Sequence, residues 1–189
     1  WHRVDEPRQG RLHPLATSRV RATHLLGEVL SFEQRHTSVQ TDFGHGLGEI
    51  ITAQAAKLPV GGNLSFAQTI FTLTQEVPYN FGAVTQLLSE TDDRFNTGSM
   101  RNIYSPDVRV ASELVIDELA RRMRKDPVAF RRKFLRSGAA RAALDKVAEV
   151  GEWGRDLPKG VAQGVAIHKE YKGVTACLVE IDTRPETVG

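Results

Sequence analysis

The sequence predicts an α+β fold: antiparallel strands come first, a three-helix segment follows, and a C-terminal β-hairpin ends the chain. Two patterns carry this prediction. Apolar and polar residues alternate with a period of two over residues 17–39 and again over 164–182, which is typical of half-buried strands. Between them, residues 108–150 place apolar side chains three or four positions apart, as amphipathic helices do.

The first strands are joined at Leu26-Gly27-Glu28. Residues 42–49, DFGHGLGE, match neither glycine pattern of phosphate-binding loops, so we expect a flexible connection with a solvent-facing His45, leading into a short helix over 49–58. A turn is predicted over 59–63. Residues 65–78 fit a helix or a strand equally well, and residues 81–93 alternate as another strand.

The three helices follow Ser105-Pro106-Asp107. The first presents an apolar face, and Asp126 caps the second, which begins at Pro127. Gly151 ends the third. The residues predicted to be buried are Val108, Ala111, Val115 and Leu119, widened by Leu114 and Met123, then Phe130 and Phe134, then Leu144, Val147 and Ala148.

The last two strands turn at Lys172-Gly173. Cys177 falls within the second of them, where we expect a small buried hydrophobe rather than a reactive thiol. We expect residues 1–158 to form part of one domain and the hairpin, 159–189, to begin the next. If so, the outer edge of the hairpin is left unpaired and open to self-association.

Composition excludes several classes of protein. The 189 residues carry 25 Lys plus Arg and 23 Asp plus Glu, a net charge of +2, which argues against nucleic acid as the main partner. A single cysteine allows no internal disulfide, no cysteine metal cage and no iron–sulfur cluster in this chain. No apolar run approaches the roughly 20 residues of a membrane span. The opening WHRVDEPRQG has no initiator Met, so we expect a segment of a longer protein.

The most informative stretch is GSMRNIYSPD, residues 98–107. Turn residues ahead of a long helix leave backbone N–H groups available, and Arg101 adds a planar cation suited to oxyanions. Met100, Ile103 and Tyr104 would wall a pocket beside it. The residues alone allow either an anion-facing loop at a cleft or an ordinary connection.

Three motifs decide between these readings: R-N-I-Y-x-P, E-L-V-I-D-E-L-A and K-D-P-V-A-F-R-R. They resemble a segment of the molybdenum-cofactor-binding large subunit of the xanthine dehydrogenase and aldehyde oxidase family. The later GVAQGVAIHKEYKGVTACLVEI resembles its isoquinoline 1-oxidoreductase beta-subunit relatives. The resemblance covers roughly residues 10–185. The matching positions are Arg101, Glu113, 116–120, Asp126, Pro127 and Arg131.

This resemblance implies a bacterial enzyme that hydroxylates an aldehyde or an N-heterocycle with water as the oxygen source. Molybdopterin is the implied cofactor, and the implied partner is a small [2Fe-2S] subunit that carries electrons away. Arg101, Asn102 and Ile103 would face the cofactor, while Arg101 and Tyr104 would contact the substrate. Such complexes occur in the cytoplasm and as exported forms, so the compartment stays open.

The sequence also departs from the family. Its usual Arg-Gly-x-Gly is Arg101-Asn102-Ile103-Tyr104 here, and its general-base glutamate is not recognisable. We therefore expect no catalytic residue and no metal ligand within this chain, which would be inactive alone, and we assign Glu113 to packing.

Two other functions remain open. A non-catalytic interaction module could dock an acidic partner through the basic helices 121–136, which otherwise are solvated faces. A hydrolytic triad of Ser105, His168 and Asp107 has no support from spacing.

Overall fold

The structure, a computed structural model, describes residues 14–41, 62–91, 97 and 103–185. The predicted α+β class is confirmed. The elements are β1 (Ala16–Leu25), β2 (Glu28–Ser38), α1 (Gly62–Thr74), β3 (Ala83–Glu90), α2 (Ser105–Arg122), α3 (Pro127–Phe134), α4 (Gly138–Val150), β4 (Val161–Glu170) and β5 (Gly173–Asp182).

The first sheet has the order β1-β2-β3. β1 and β2 form the predicted antiparallel pair, joined through Leu26 and Gly27, which both adopt positive φ. β3 pairs parallel to β2, from Ser31 opposite Ala83 to Ser38 opposite Glu90. The sheet is therefore mixed, a pairing that the alternation within β3 does not reveal.

Helix α1 settles the ambiguity over residues 65–78 in favour of a helix. Its apolar side chains form a second, smaller core with the start of α2 and the end of β3. The members of this small core are Ala67, Ile70, Phe71, Leu88, Ile103, Tyr104 and Val108. The glycine-rich residues 42–49, His45 and the helix predicted over 49–58 lie outside the described residues.

The three-helix segment is confirmed over 105–150. The Asp126 carboxylate accepts a hydrogen bond from the Ala129 N–H at 2.8 Å, so it caps α3 as predicted. Gly151 is the C-cap of α4. The prediction that Leu114 widens the buried face of α2 was wrong, since Leu114 is exposed. The helix turns the polar Ser112 and Glu113 inward instead, which leaves Leu114 on the outer face.

The main core lies where α2, α3 and α4 meet β2 and the hairpin. The segment between α1 and β3 also enters it, and Tyr79 forms an isolated bridge with Leu135. Within the described residues no helix is both long and apolar enough to cross a membrane.

The C-terminal hairpin β4-β5 is confirmed, with Tyr171 and Lys172 in its turn. Val165 and Ile167 enter the main core. Cys177 was predicted to be buried, and this was wrong: Cys177 is exposed, because one face of the hairpin packs inward and Cys177 lies on the other. The boundary near residue 158 stays a prediction.

Candidate functional site

The arginine loop lies directly before α2. Arg101 and Asn102 are outside the described residues, so their predicted contacts with cofactor and substrate stay predictions. Ile103 has φ +45°, a left-handed conformation that is unfavourable for a β-branched residue. Tyr104 has helical φ and ψ and gives α2 no side-chain cap, and Pro106 occupies the first turn. The helix start is thus not capped by Tyr104.

Tyr104 is buried within the small core. Its ring meets Phe71 and His36 edge-on at centroid distances of 5.5 and 5.9 Å. Its hydroxyl donates to Glu90 Oε1 at 3.4 Å, and Glu90 also accepts from the Thr41 N–H at 3.2 Å. Burial raises the pKa of both Tyr104 and Glu90. Tyr104 therefore has a structural role here, and its substrate contact stays a prediction.

Glu113 and Arg131 form the centre of a buried network. Arg131 Nε donates to Glu113 Oε2 at 3.0 Å, and the two side chains are 0% and 8% exposed. Glu113 also accepts from the Tyr79 hydroxyl at 2.9 Å and from the Ile167 N–H of β4 at 3.1 Å. This Glu113–Arg131 network joins α2, α3, β4 and the segment between α1 and β3.

Charge balance stabilises this network. Burial raises the pKa of Tyr79, and the Glu113 carboxylate raises it further. Burial alone would lower the pKa of Arg131, but Glu113 and Asp117 outweigh it and raise that pKa. Asp117 Oδ1 lies 2.6 Å from Arg131 Nη1. Tyr79 therefore stays a neutral donor and Arg131 a cation.

A second set of contacts forms a closed polar ring of Ser105, Glu170, His168 and Arg109. The Ser105 hydroxyl donates to Glu170 Oε2 at 3.1 Å, and His168 Nε2 lies 2.9 Å from the same oxygen. Arg109 Nε donates to His168 Nδ1 at 3.0 Å. Gln75 Nε2 donates to Ser105 Oγ at 2.7 Å.

These contacts assign the protonation of the ring. Since Arg109 Nε is a donor, Nδ1 of the His168 imidazole must accept. The imidazole proton therefore sits on Nε2 and points to Glu170. Both ring nitrogens of His168 are thereby occupied. A hydrolytic triad needs the serine hydroxyl on a free histidine nitrogen, so Ser105 is not arranged as a nucleophile.

The polar ring borders a groove of about 330 Å³, which lies between strand β4 and the N-terminal half of helix α2. Arg109 is buried, and burial lowers its pKa while Glu113 and Glu170 oppose the change. Within the described residues, no group of three or more His, Cys, Asp or Glu side chains is placed to hold a metal ion.

The basic helices 121–136 are not a free cationic face. Arg131 is fully buried, and Arg121 and Arg122 both bond to Glu118. The remaining ion pairs of this stretch are Arg132 with Asp145, Lys133 with Glu28 and Arg136 with Glu76. This pairing makes the stretch less suited to an acidic partner than its sequence suggests.

Comparison with known proteins connects this fold to an enzyme family. The chain is 37% identical over 84 residues to the isoquinoline 1-oxidoreductase subunit beta of Brevundimonas diminuta, a match that covers 42% of this chain and 11% of that protein. The resemblance to the xanthine dehydrogenase and aldehyde oxidase family is confirmed. No protein-family model matches the chain.

Two solved structures share the fold. The aldehyde oxidoreductase of Desulfovibrio gigas superposes with a TM-score of 0.56 at 15% identity, over 82% of this chain and 18% of that one. The enzyme of Desulfovibrio desulfuricans ATCC 27774 gives 0.51 at 15% identity, over 81% and 17%. The chain thus spans about a fifth or less of the length of these relatives.

The described motif residues of α2 and α3 form the scaffold of this segment. Glu113, Arg131 and Asp117 build the buried network, and Asp126 caps α3 while accepting from Trp153 Nε1 at 2.8 Å. The packing role predicted for Glu113 agrees with these contacts. The motif therefore fixes the helix that follows the arginine loop.

Sequence reasoning missed the polar ring, apart from Ser105 and His168, which it named in a different arrangement. A local signal existed for each half. Ser105 and Arg109 are four residues apart on α2, and His168 and Glu170 are two apart on β4, so each pair shares a face. Nothing local indicates that the two faces meet.

Proposed function

We propose that the chain is a segment of the molybdenum-cofactor-binding large subunit of a hydroxylase that oxidises aldehydes or N-heterocycles with water as the oxygen source. The observation that carries this proposal is the 37% identity to an isoquinoline 1-oxidoreductase beta subunit. The fold likeness to two aldehyde oxidoreductases supports it.

The residues present fit a wall of the cofactor site rather than a set of metal ligands. The start of α2 has no side-chain cap from Tyr104, which leaves backbone donors at a helix N-terminus for an anionic group. The described residues offer no cluster of metal-ligating side chains. We therefore assign this segment to orientation, while molybdopterin supplies the redox chemistry when bound.

Within that wall, Arg101 would hold an anionic or polar group of the substrate or a cofactor oxygen. The N–H groups of Asn102 and Ile103 would point to the cofactor, and Tyr104 would support the loop from below and complete the substrate pocket. Electron removal requires a second component, for which we propose a small [2Fe-2S] subunit.

The test is metal analysis of the full-length protein purified from its own host. We expect about one molybdenum per chain, and iron only when a smaller subunit co-purifies, because we propose that the iron–sulfur clusters lie on that subunit. An intact, folded full-length chain with neither metal would refute the proposed function.

Arg101→Ala in the same full-length protein tests the loop. Turnover of an aldehyde or of isoquinoline should fall at least about tenfold while the molybdenum content stays unchanged, because orientation is lost but the cofactor remains. Arg121→Ala is the matched control, since Arg121 is exposed and its ion-pair partner among the described residues is Glu118 on its own helix. Unchanged turnover in Arg101→Ala would remove Arg101 from the site.

A further inference from the structure

Glu170 accepts two hydrogen bonds on one oxygen at the end of β4. The donors are the Ser105 hydroxyl, the first residue of α2, and His168 Nε2. Glu170 is thus the point at which the hairpin holds the start of the helix. In the chain, Asn102, Ile103 and Tyr104 separate Arg101 from Ser105, the first residue of α2.

The polar ring is closed, which makes it a fixed support rather than a single contact. Ser105 and Arg109 lie one turn apart on α2, and both are bonded to β4, Ser105 through Glu170 and Arg109 through His168. Gln75, which is fully buried, holds Ser105 from the end of α1. The first turn of α2 is therefore fixed from two sides.

The two partners on α2 are buried, whereas the His168 and Glu170 side chains of β4 are 26% and 16% exposed. Ser105 is 4% exposed and Arg109 is 9% exposed. Within the described residues Arg109 has no carboxylate at ion-pair distance, so its bond to His168 depends on Glu170 keeping that ring oriented. Loss of Glu170 would remove the bond of Ser105 to β4 and the acceptor that orients His168 toward Arg109, while the bonds of Gln75 to Ser105 and of Arg109 to the Glu76 carbonyl would remain.

We propose that Glu170 is a positioning residue: through Ser105 it fixes the start of α2, the helix that follows the arginine loop in the chain. This inference rests on the proposed function for its catalytic consequence. It does not rest on it for the structural one, because the hold on α2 can be measured without turnover.

Two substitutions separate position from charge. Glu170→Ala removes the acceptor for both Ser105 and His168. Glu170→Gln keeps an amide oxygen that accepts from both donors but carries no charge. Glu149→Ala is the matched control, since Glu149 is an exposed carboxylate on α4 that pairs with Lys146.

The experiment uses the full-length holoenzyme, with isoquinoline and benzaldehyde as probe substrates. Metal content, kcat and KM are measured together with hydrogen–deuterium exchange of residues 103–112. In Glu170→Ala we expect kcat to fall at least about tenfold and exchange to rise about tenfold, with molybdenum content unchanged. Glu170→Gln should restore both, and Glu149→Ala should change neither.

Wild-type exchange in Glu170→Ala would overturn the inference, because α2 would then be held without Glu170. Loss of kcat in both Glu170 variants with unchanged exchange would also overturn it, since charge rather than position would be responsible. If the wild-type protein has no molybdenum, the proposed function fails, and the exchange measurement still decides whether Glu170 fixes α2.

Discussion

The Glu113–Arg131 network makes the strongest prediction about stability. Arg131→Met removes the cation but keeps a side chain of similar length in the core. Glu113 then stays 8% exposed with no cation at ion-pair distance among the described residues; it retains the hydrogen bonds from the Tyr79 hydroxyl and the Ile167 N–H and the longer-range attraction of Arg109. A carboxylate in that position cannot recover its hydration without opening the contact between α2 and β4.

The magnitude follows from the exposure of the two carboxylates. Breaking a buried ion pair by removing one partner costs about 3–5 kcal/mol. The two donors that remain on Glu113 place the expected loss near the lower end, about 3 kcal/mol. Asp117 is 46% exposed, so Asp117→Asn should cost about 1 kcal/mol or less, although its contact with Arg131 is shorter at 2.6 Å.

Urea unfolding of the chain measures both variants, with Glu113→Leu/Arg131→Met as the matched pair. The double variant leaves the half-exposed Asp117 without its cation, and the Tyr79 hydroxyl and Ile167 N–H without an acceptor, but it leaves no unpaired buried charge. It should therefore be more stable than Arg131→Met alone. The reasoning is refuted if Arg131→Met lowers the free energy of unfolding by less than Asp117→Asn does. It is also refuted if the loss in the double variant equals the sum of the losses in Glu113→Leu and Arg131→Met.

Two further predictions concern the sheet. Burial raises the pKa of Glu90 above its ordinary value of 4.5, so its contribution to the free energy of unfolding is present below pH 4.5 and is lost as the pH rises through the raised pKa. Glu90→Gln should therefore gain stability relative to wild type between pH 4.5 and neutrality; a constant difference in urea midpoint would contradict this. At Gly82, an added Cβ would lie 2.2 Å from the Leu30 carbonyl oxygen, so Gly82→Ala should lower the free energy of unfolding by about 2 kcal/mol. Gly138→Ala should cost far less, because the space around Gly138 is open. Equal losses on urea unfolding would contradict this reasoning.

Local patterns predicted the elements but not how they meet. Helix spacing and the Asp126 cap identified α2 to α4, because both are set within a few residues of the chain. The parallel partner of β3 and the outward face of Cys177 depend on distant contacts. Alternation shows that a strand has two faces, but it does not show which face the rest of the chain covers.

The buried contacts of the candidate site depend on packing that the sequence does not show. Arg131 lies in a run of basic residues that reads as solvated surface, yet it is fully buried, because Glu113 and Asp117 lie within reach on α2. Glu170 and Ser105 are 65 residues apart in the chain. No spacing rule connects them, and only the packing of β4 against α2 brings them together.

The matching motif residues and the departures from the family pattern fall at different positions. Every described motif residue with a resolved partner serves packing or capping, while the departures from the family occur at Asn102 and Tyr104, where glycine is usual. The left-handed residue is Ile103, at neither glycine position, and its side chain is buried in the small core. That burial offsets the cost of the conformation, about 1–2 kcal/mol, so this loop does not require glycine at position 103 to turn into α2. The entry into α2 is thus held by Ile103 in the small core and by Ser105 in the polar ring.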